Sequence, residues 1–293
     1  DMSPDSESYF LTHAPEARRR IEAAFGAAAL GRAERALGQV AWHDDVRVAA
    51  WVVGTPFQAA VALAALADEP LSLAGHRLRE VLPELWGLAV PREATTHEHE
   101  PVNGEGRPTP LLDRTIRALA LAEEASAGLD RLQKSLLTAS IAFADVAKGG
   151  TKEQRDVWLA RLGVDGTVHN EDSAEILRDV VRRVLGKAPL SEDGKWAEYA
   201  EVLVATSGLV GMRLRGEVGR DALADFREFA KEQADEGERL CRVWSLMNRC
   251  ETQAVRSGLW TPELARAFEE EERAIMLPPS SHRSVRLPLA ERI

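Results

Sequence analysis

Along the chain, apolar residues recur at intervals of three and four, the spacing that draws a stripe down one side of an α-helix. Leu132, Leu136, Ala139, Phe143 and Val146 form one such stripe. Ile176, Leu177, Val180, Val181 and Val184 make a broader face. Trp196, Tyr199, Leu203 and Val210 make a third, and Leu240, Val243, Met247 and Cys250 a fourth. Strict alternation of apolar and polar residues, the mark of a half-buried strand, is missing. The β-branched run from Val46 to Val53 is the one candidate strand, and its flanks suit a short buried helix equally well. The pattern predicts an all-α fold, a multi-helix bundle of about ten to twelve helices.

Helix starts are marked by Thr55-Pro56, Thr109-Pro110 and Thr261-Pro262, with Ser3-Pro4 repeating the pattern at the front. Each offers a hydroxyl at the N-cap and then a proline, whose missing N–H costs nothing at the first helical position. Thr55 with Gln58, Thr151 with Gln154 and Asp172 with Glu175 have capping-box spacing, so a helix is expected to open at Ser173. Gly149-Gly150, Gly163 and Gly186 mark stops.

Residues 91–110, PREATTHEHEPVNGEGRPTP, break the helical pattern with four Pro, two Gly and four Glu. Such a segment has too few apolar groups to bury itself, so it reads as a long solvated connection. It divides a helical N-terminal subdomain, 1–90, from a larger helical C-terminal domain, 111–276, with the two expected to pack together. The last residues, 277–293, turn basic and apolar and read as an extended tail. No repeat of fixed period marks a solenoid.

Composition narrows the function classes. The chain is 45% hydrophobic and 29% charged over 293 residues, enough to offset the ordering entropy of a folded core. With 47 acids against 37 bases the formal charge is −10, so a non-specific grip on nucleic acid or on an anionic membrane is not expected. The longest apolar stretch, Ala59 to Ala67, is far short of the roughly 20 residues that cross a bilayer. No basic start leads into an apolar segment, and Cys241 and Cys250 lie too far apart on one helix to bridge. These features suit a cytoplasmic protein with free thiols. The preference for Arg over Lys, with abundant Ala, points to a GC-rich coding sequence and a bacterium.

Three sets of residues carry candidate chemistry. His43-Asp44, with His13 before it and Asp113 and His169 after it, follows the order of ligands in metal-dependent hydrolases of the HD type. An imidazole beside a carboxylate supplies both neutral and anionic donors to a divalent cation. Asp44-Asp45 is equally a natural helix cap, and in that family the His-Asp pair ends a helix where here it begins one. His97 and His99 have no cysteine nearby to complete a zinc site. Arg18, Arg19, Arg20, Arg32 and Arg35 form a basic cluster open to nucleic acid, although interspersed acids make it read as an ordinary mixed surface. Residues 152–175 resemble a helix-turn-helix in outline, but acids sit where base contacts belong. The seven tryptophans tend to lie at helix junctions, where an indole covers a joint and hands its N–H to a carbonyl.

No phosphate loop, nucleophile elbow or HExxH motif is present. No catalytic residue and no cofactor are therefore assigned. The expectation is a non-catalytic protein acting through macromolecular binding, to another protein or to itself as an oligomer. A metal-dependent hydrolase on an HD-like scaffold and a nucleic-acid-binding helical protein are the alternatives.

Overall fold

The computed structural model describes residues 14–67, 73–89, 111–150, 169–185, 195–214, 220–233, 235–255 and 260–276, with isolated positions between them. His13, the 91–110 connection, the 277–293 tail and the caps expected at Ser3, Thr109 and Thr151 lie outside these residues. Among the described residues the fold is all helical, without a strand. The helices are α1 Pro15–Phe25, α2 Ala29–Leu37, α3 Asp45–Gly54, α4 Pro56–Leu66, α5 Leu73–Val81, α6 Pro83–Trp86, α7 Leu111–Ala125 and α8 Arg131–Phe143. They continue with α9 His169–Val180, α10 Lys195–Ala205, α11 Leu209–Leu214, α12 Ala224–Glu232, α13 Asp235–Val255 and α14 Pro262–Met276. A π-turn, Val181–Leu185, extends α9, and 3₁₀ turns occupy Gly87–Ala89, Val146–Lys148 and Arg220–Leu223. The run Val46 to Val53 is helical, as its flanks allow.

Caps form where hydroxyls and acids precede apolar stripes. Thr55 Oγ1 accepts from the Gln58 N–H at 3.2 Å, Asp44 Oδ1 from Arg47 N–H at 3.2 Å, and Thr261 Oγ1 from Leu264 N–H at 3.2 Å. A reciprocal box that the pattern did not single out opens α8. The Gln133 N–H donates to Asp130 Oδ1 at 2.8 Å, and the Asp130 N–H donates to Gln133 Oε1 at 3.1 Å.

The expected start at Ser173 is corrected: α9 opens four residues earlier, at His169. Asn170 Nδ2 donates to the Ser207 carbonyl, and Ser173 Oγ accepts from the Ala147 N–H at 3.1 Å. These side chains tie α9 to other elements, and the backbone between them is free to stay helical. Glu175 pairs with Arg178 rather than returning to a cap.

The centre of the fold is α4, apolar all round and buried over nearly its whole length. A helix without a polar face must be enclosed, and α1, α3, α5, α7 and α8 enclose it. No single described helix is long and apolar enough to cross a membrane; α3 and α4 together reach that length but are bent by 117° at their junction.

The pair α7–α8 carries the rest. α7 packs on α4 and on α13, while α8 packs on α3 and α4 as well as on α10 and α13. One apolar cluster therefore runs from Ala14 to Phe268, through residues on both sides of the 91–110 connection. Within α8, Ser135, Thr138 and Ser140 are buried and donate to the carbonyls of Leu132, Lys134 and Leu136 at 2.6–2.8 Å. Their polarity is satisfied inside the helix, so their small volume is usable for close packing.

Candidate functional site: a charged seam beside α13

The described residues singled out by sequence stand on different elements. His43 is exposed at the entry to α3, where Asp44 caps the helix. Asp113 of α7 is taken by Arg20 of α1. His169 is half-buried at the start of α9. Among the described residues no group of three or more His, Cys, Asp or Glu side chains is placed to hold a metal ion. The basic cluster is also divided. Arg20 faces Asp113, Arg19 pairs with Glu16 at 2.5 Å, and the exposed Arg32 stands 4.3 Å over the Phe57 ring. Arg18 and Arg35 are exposed.

None of the described tryptophans is exposed. Trp196 Nε1 donates to Ser135 Oγ at 2.9 Å and Trp244 Nε1 to Thr206 Oγ1 at 3.0 Å. The acceptors are hydroxyls, not the carbonyls expected at helix ends, and the buried Nε1 groups of Trp42 and Trp51 have no hydrogen-bond partner among the described residues.

Chemistry is instead concentrated where α8 ends. Asp145, 7% exposed, stands between the end of that helix and the 3₁₀ turn Val146–Lys148. One of its oxygens accepts from Lys148 Nζ at 2.7 Å, and the other pairs with the Arg114 guanidinium from α7. The turn that follows is bonded outward on two sides. Ala147 N–H reaches Ser173 on α9, and Gly150 N–H donates to the Gly87 carbonyl at 2.7 Å. Glycine is required at 149, since a Cβ there would stand 2.7 Å from the Gly87 carbonyl carbon.

α13 supplies the other half of this seam. Asn248 Oδ1 accepts from the Gly208 N–H at 3.1 Å, while its Nδ2 donates to the Trp244 carbonyl at 3.0 Å. One turn further on, Glu251 is half-buried on α13, which packs against α7, and Arg114 and Lys148 are the charges that act on it. Burial pushes its carboxyl up to about 7, against the opposing pull of those two cations. Desolvation is the larger effect, and the attraction of the two cations offsets part of it. A carboxyl that gains and loses its proton near neutrality is the group in this seam able to respond to ordinary changes of pH.

Sequence reading passed over Glu251, although a signal was present. Leu240, Trp244, Met247, Glu251 and Ala254 step by four, three, four and three, so the acid stands on the inward stripe of α13. An ionisable residue at an apolar position is the anomaly that marks such a site.

The two thiols do not take part as nucleophiles. Burial, helped by Glu238, pushes Cys241 up to about 11, and burial, helped by Glu251, pushes Cys250 up to about 12. Both are protonated at neutral pH and behave as packing groups.

Other inward charges brace one helix against another. Glu84, 1% exposed, pairs with Arg183 at 2.5 Å. Arg178 holds Glu201 at 2.7 Å, and Arg249 grips Glu272 through two bonds of 2.7 and 3.0 Å. No family model, no curated protein and no solved structure matches the chain.

Proposed function

We propose that the protein is a non-catalytic helical scaffold that works in the cytoplasm by binding macromolecules, either another protein or a second copy of itself. The observation that supports this reading is the use made of its inward charges. Arg20–Asp113, Glu84–Arg183, Arg114–Asp145–Lys148, Arg178–Glu201 and Arg249–Glu272 each join different elements. Groups that could have formed a reactive set serve as braces, which suits a rigid platform.

The contact surface implied is polar. Val157 is the one large apolar side chain exposed among the described residues, whereas Arg18, Arg32 and Arg35 stand outward on a chain of charge −10. Association through such groups complements an acidic face on the partner and weakens as salt screens it.

Sedimentation velocity over a dilution series, at low and at high salt, tests the self-association form of this reading. The expected result is a species heavier than the 32.1 kDa chain that dissociates on dilution and in salt. A monomer at every concentration, combined with phosphoester hydrolysis that depends on added Mn²⁺ or Fe²⁺, would instead place the chain among metal-dependent hydrolases.

A further inference from the structure

We propose that α14 is a reversible strap: it docks on α11 and α13 through one buried ring and one carboxylate, and lifts as a unit while the rest of the fold stays closed. This inference is independent of what the protein binds.

The apolar hold on α14 is small. Among its described side chains Phe268 alone is buried, 0% exposed, with the half-buried Trp260 edge-on to it at 5.7 Å between ring centres. Glu263, Arg266, Glu269, Glu270 and Arg273 are exposed. A 15-residue helix that buries one ring gains far less apolar contact than α4, which is buried over nearly its whole length.

The polar hold is a single carboxylate. Glu272 accepts from Arg249 Nε at 2.7 Å and Nη2 at 3.0 Å, and from the Ser245 hydroxyl at 2.5 Å. Ser245 and Arg249 stand one turn apart on α13, so the fork and the hydroxyl grip α14 at one place. Both carboxylate oxygens are engaged and the Glu272 side chain is 17% exposed, so water competes little for it.

The seat of the strap is built without it. α13 packs on α7, α8 and α12, and α11 packs on α13. The start of α14 is closed by its own residues, since Thr261 Oγ1 accepts from the Leu264 N–H at 3.2 Å. Lifting α14 therefore breaks one fork, uncovers one ring, and bares Ser245 and Arg249 on α13. A region held by few buried apolar contacts opens at a lower free energy than the core.

Native-state amide exchange, read by NMR in urea below the unfolding transition, tests the strap. In the parent protein the amides from Phe268 to Arg273 are expected to share one opening equilibrium. It is expected to be about a hundredfold more frequent than that of α4 and α8, and nearly independent of urea. Glu272→Gln is expected to raise exchange along α14 about tenfold and to leave α4 and α8 unchanged, because the charge-assisted fork is lost. Glu270→Gln, which removes an exposed acid from the same helix, is expected to change neither. Should Glu272→Gln fail to fold, exchange in the parent decides by itself. Protection that fades residue by residue toward Met276 means fraying rather than lifting, and overturns the proposal. So does exchange of α14 at the intrinsic rate, which leaves no closed state, exchange that follows urea as α4 does, or an equal effect of the two substitutions.

Discussion

Glu251 shows how one side chain sets a pH dependence for the entire fold. In the unfolded chain its carboxyl ionises near 4.5, whereas in the native protein it holds its proton to about 7. Between those values the native state binds more protons than the unfolded one. Stability from this group therefore falls as pH rises from about 4.5 to about 7, and is level above that. The full shift corresponds to about 3 kcal/mol, and contact with solvent reduces it to about 1–2 kcal/mol. Glu251→Gln is expected to be more stable than the parent by that amount at pH 8 and to lose the slope, as urea unfolding at several pH values would measure. The cysteines supply a second residue-level prediction. Cys241 and Cys250 are buried thiols with raised pKa values, so the native protein at neutral pH is expected to react with iodoacetamide far more slowly than in urea. Equal rates in the two states would show that the α13 face opens readily.

Helices here are bounded by devices of different legibility. Thr55-Pro56 and Thr261-Pro262 announce their caps because the bond is local, between residues three apart. Asp130 and Gln133 close a box on equally local terms, and removing it has a readable cost. Asp130→Ala is expected to lower stability by about 1 kcal/mol, measured by thermal unfolding, because the Gln133 backbone N–H loses the carboxylate that accepts its hydrogen bond. Gly149→Ala is expected to cost more, about 2 kcal/mol or greater, since the new methyl meets the Gly87 backbone, which has no flexible side chain to move aside. The start of α9 was not readable in this way. Asp172 and Glu175 have cap spacing, but Asn170 and Ser173 find partners on other elements and the helix runs back to His169. The same limit hid the seam. Arg114, Asp145 and Glu251 are far apart in sequence, and only the packing of α7 on α13 brings their elements together. The apolar stripes of α8 and α13 were visible because they depend on helical period alone.

At the scale of the molecule, the helices before and after the 91–110 connection share one core. α4 is covered by α7 and α8, and Arg183 reaches back to Glu84. Unfolding is therefore expected to be one cooperative transition. Fluorescence of a variant keeping only Trp51, near the front, should report the same midpoint as one keeping only Trp244. Two separated midpoints would mean that the two sets of helices are independently stable. The enclosure of α4 also bears on how the chain is made. During synthesis the ribosome releases this all-apolar helix well before α7 and α8 exist to cover it, because the connection must be translated first. A nascent chain halted near residue 110 presents α4 to whatever lies near the exit tunnel. The nascent chain is thus expected to pass through an interval in which α4 is only partly covered, lasting until both α7 and α8 have been made.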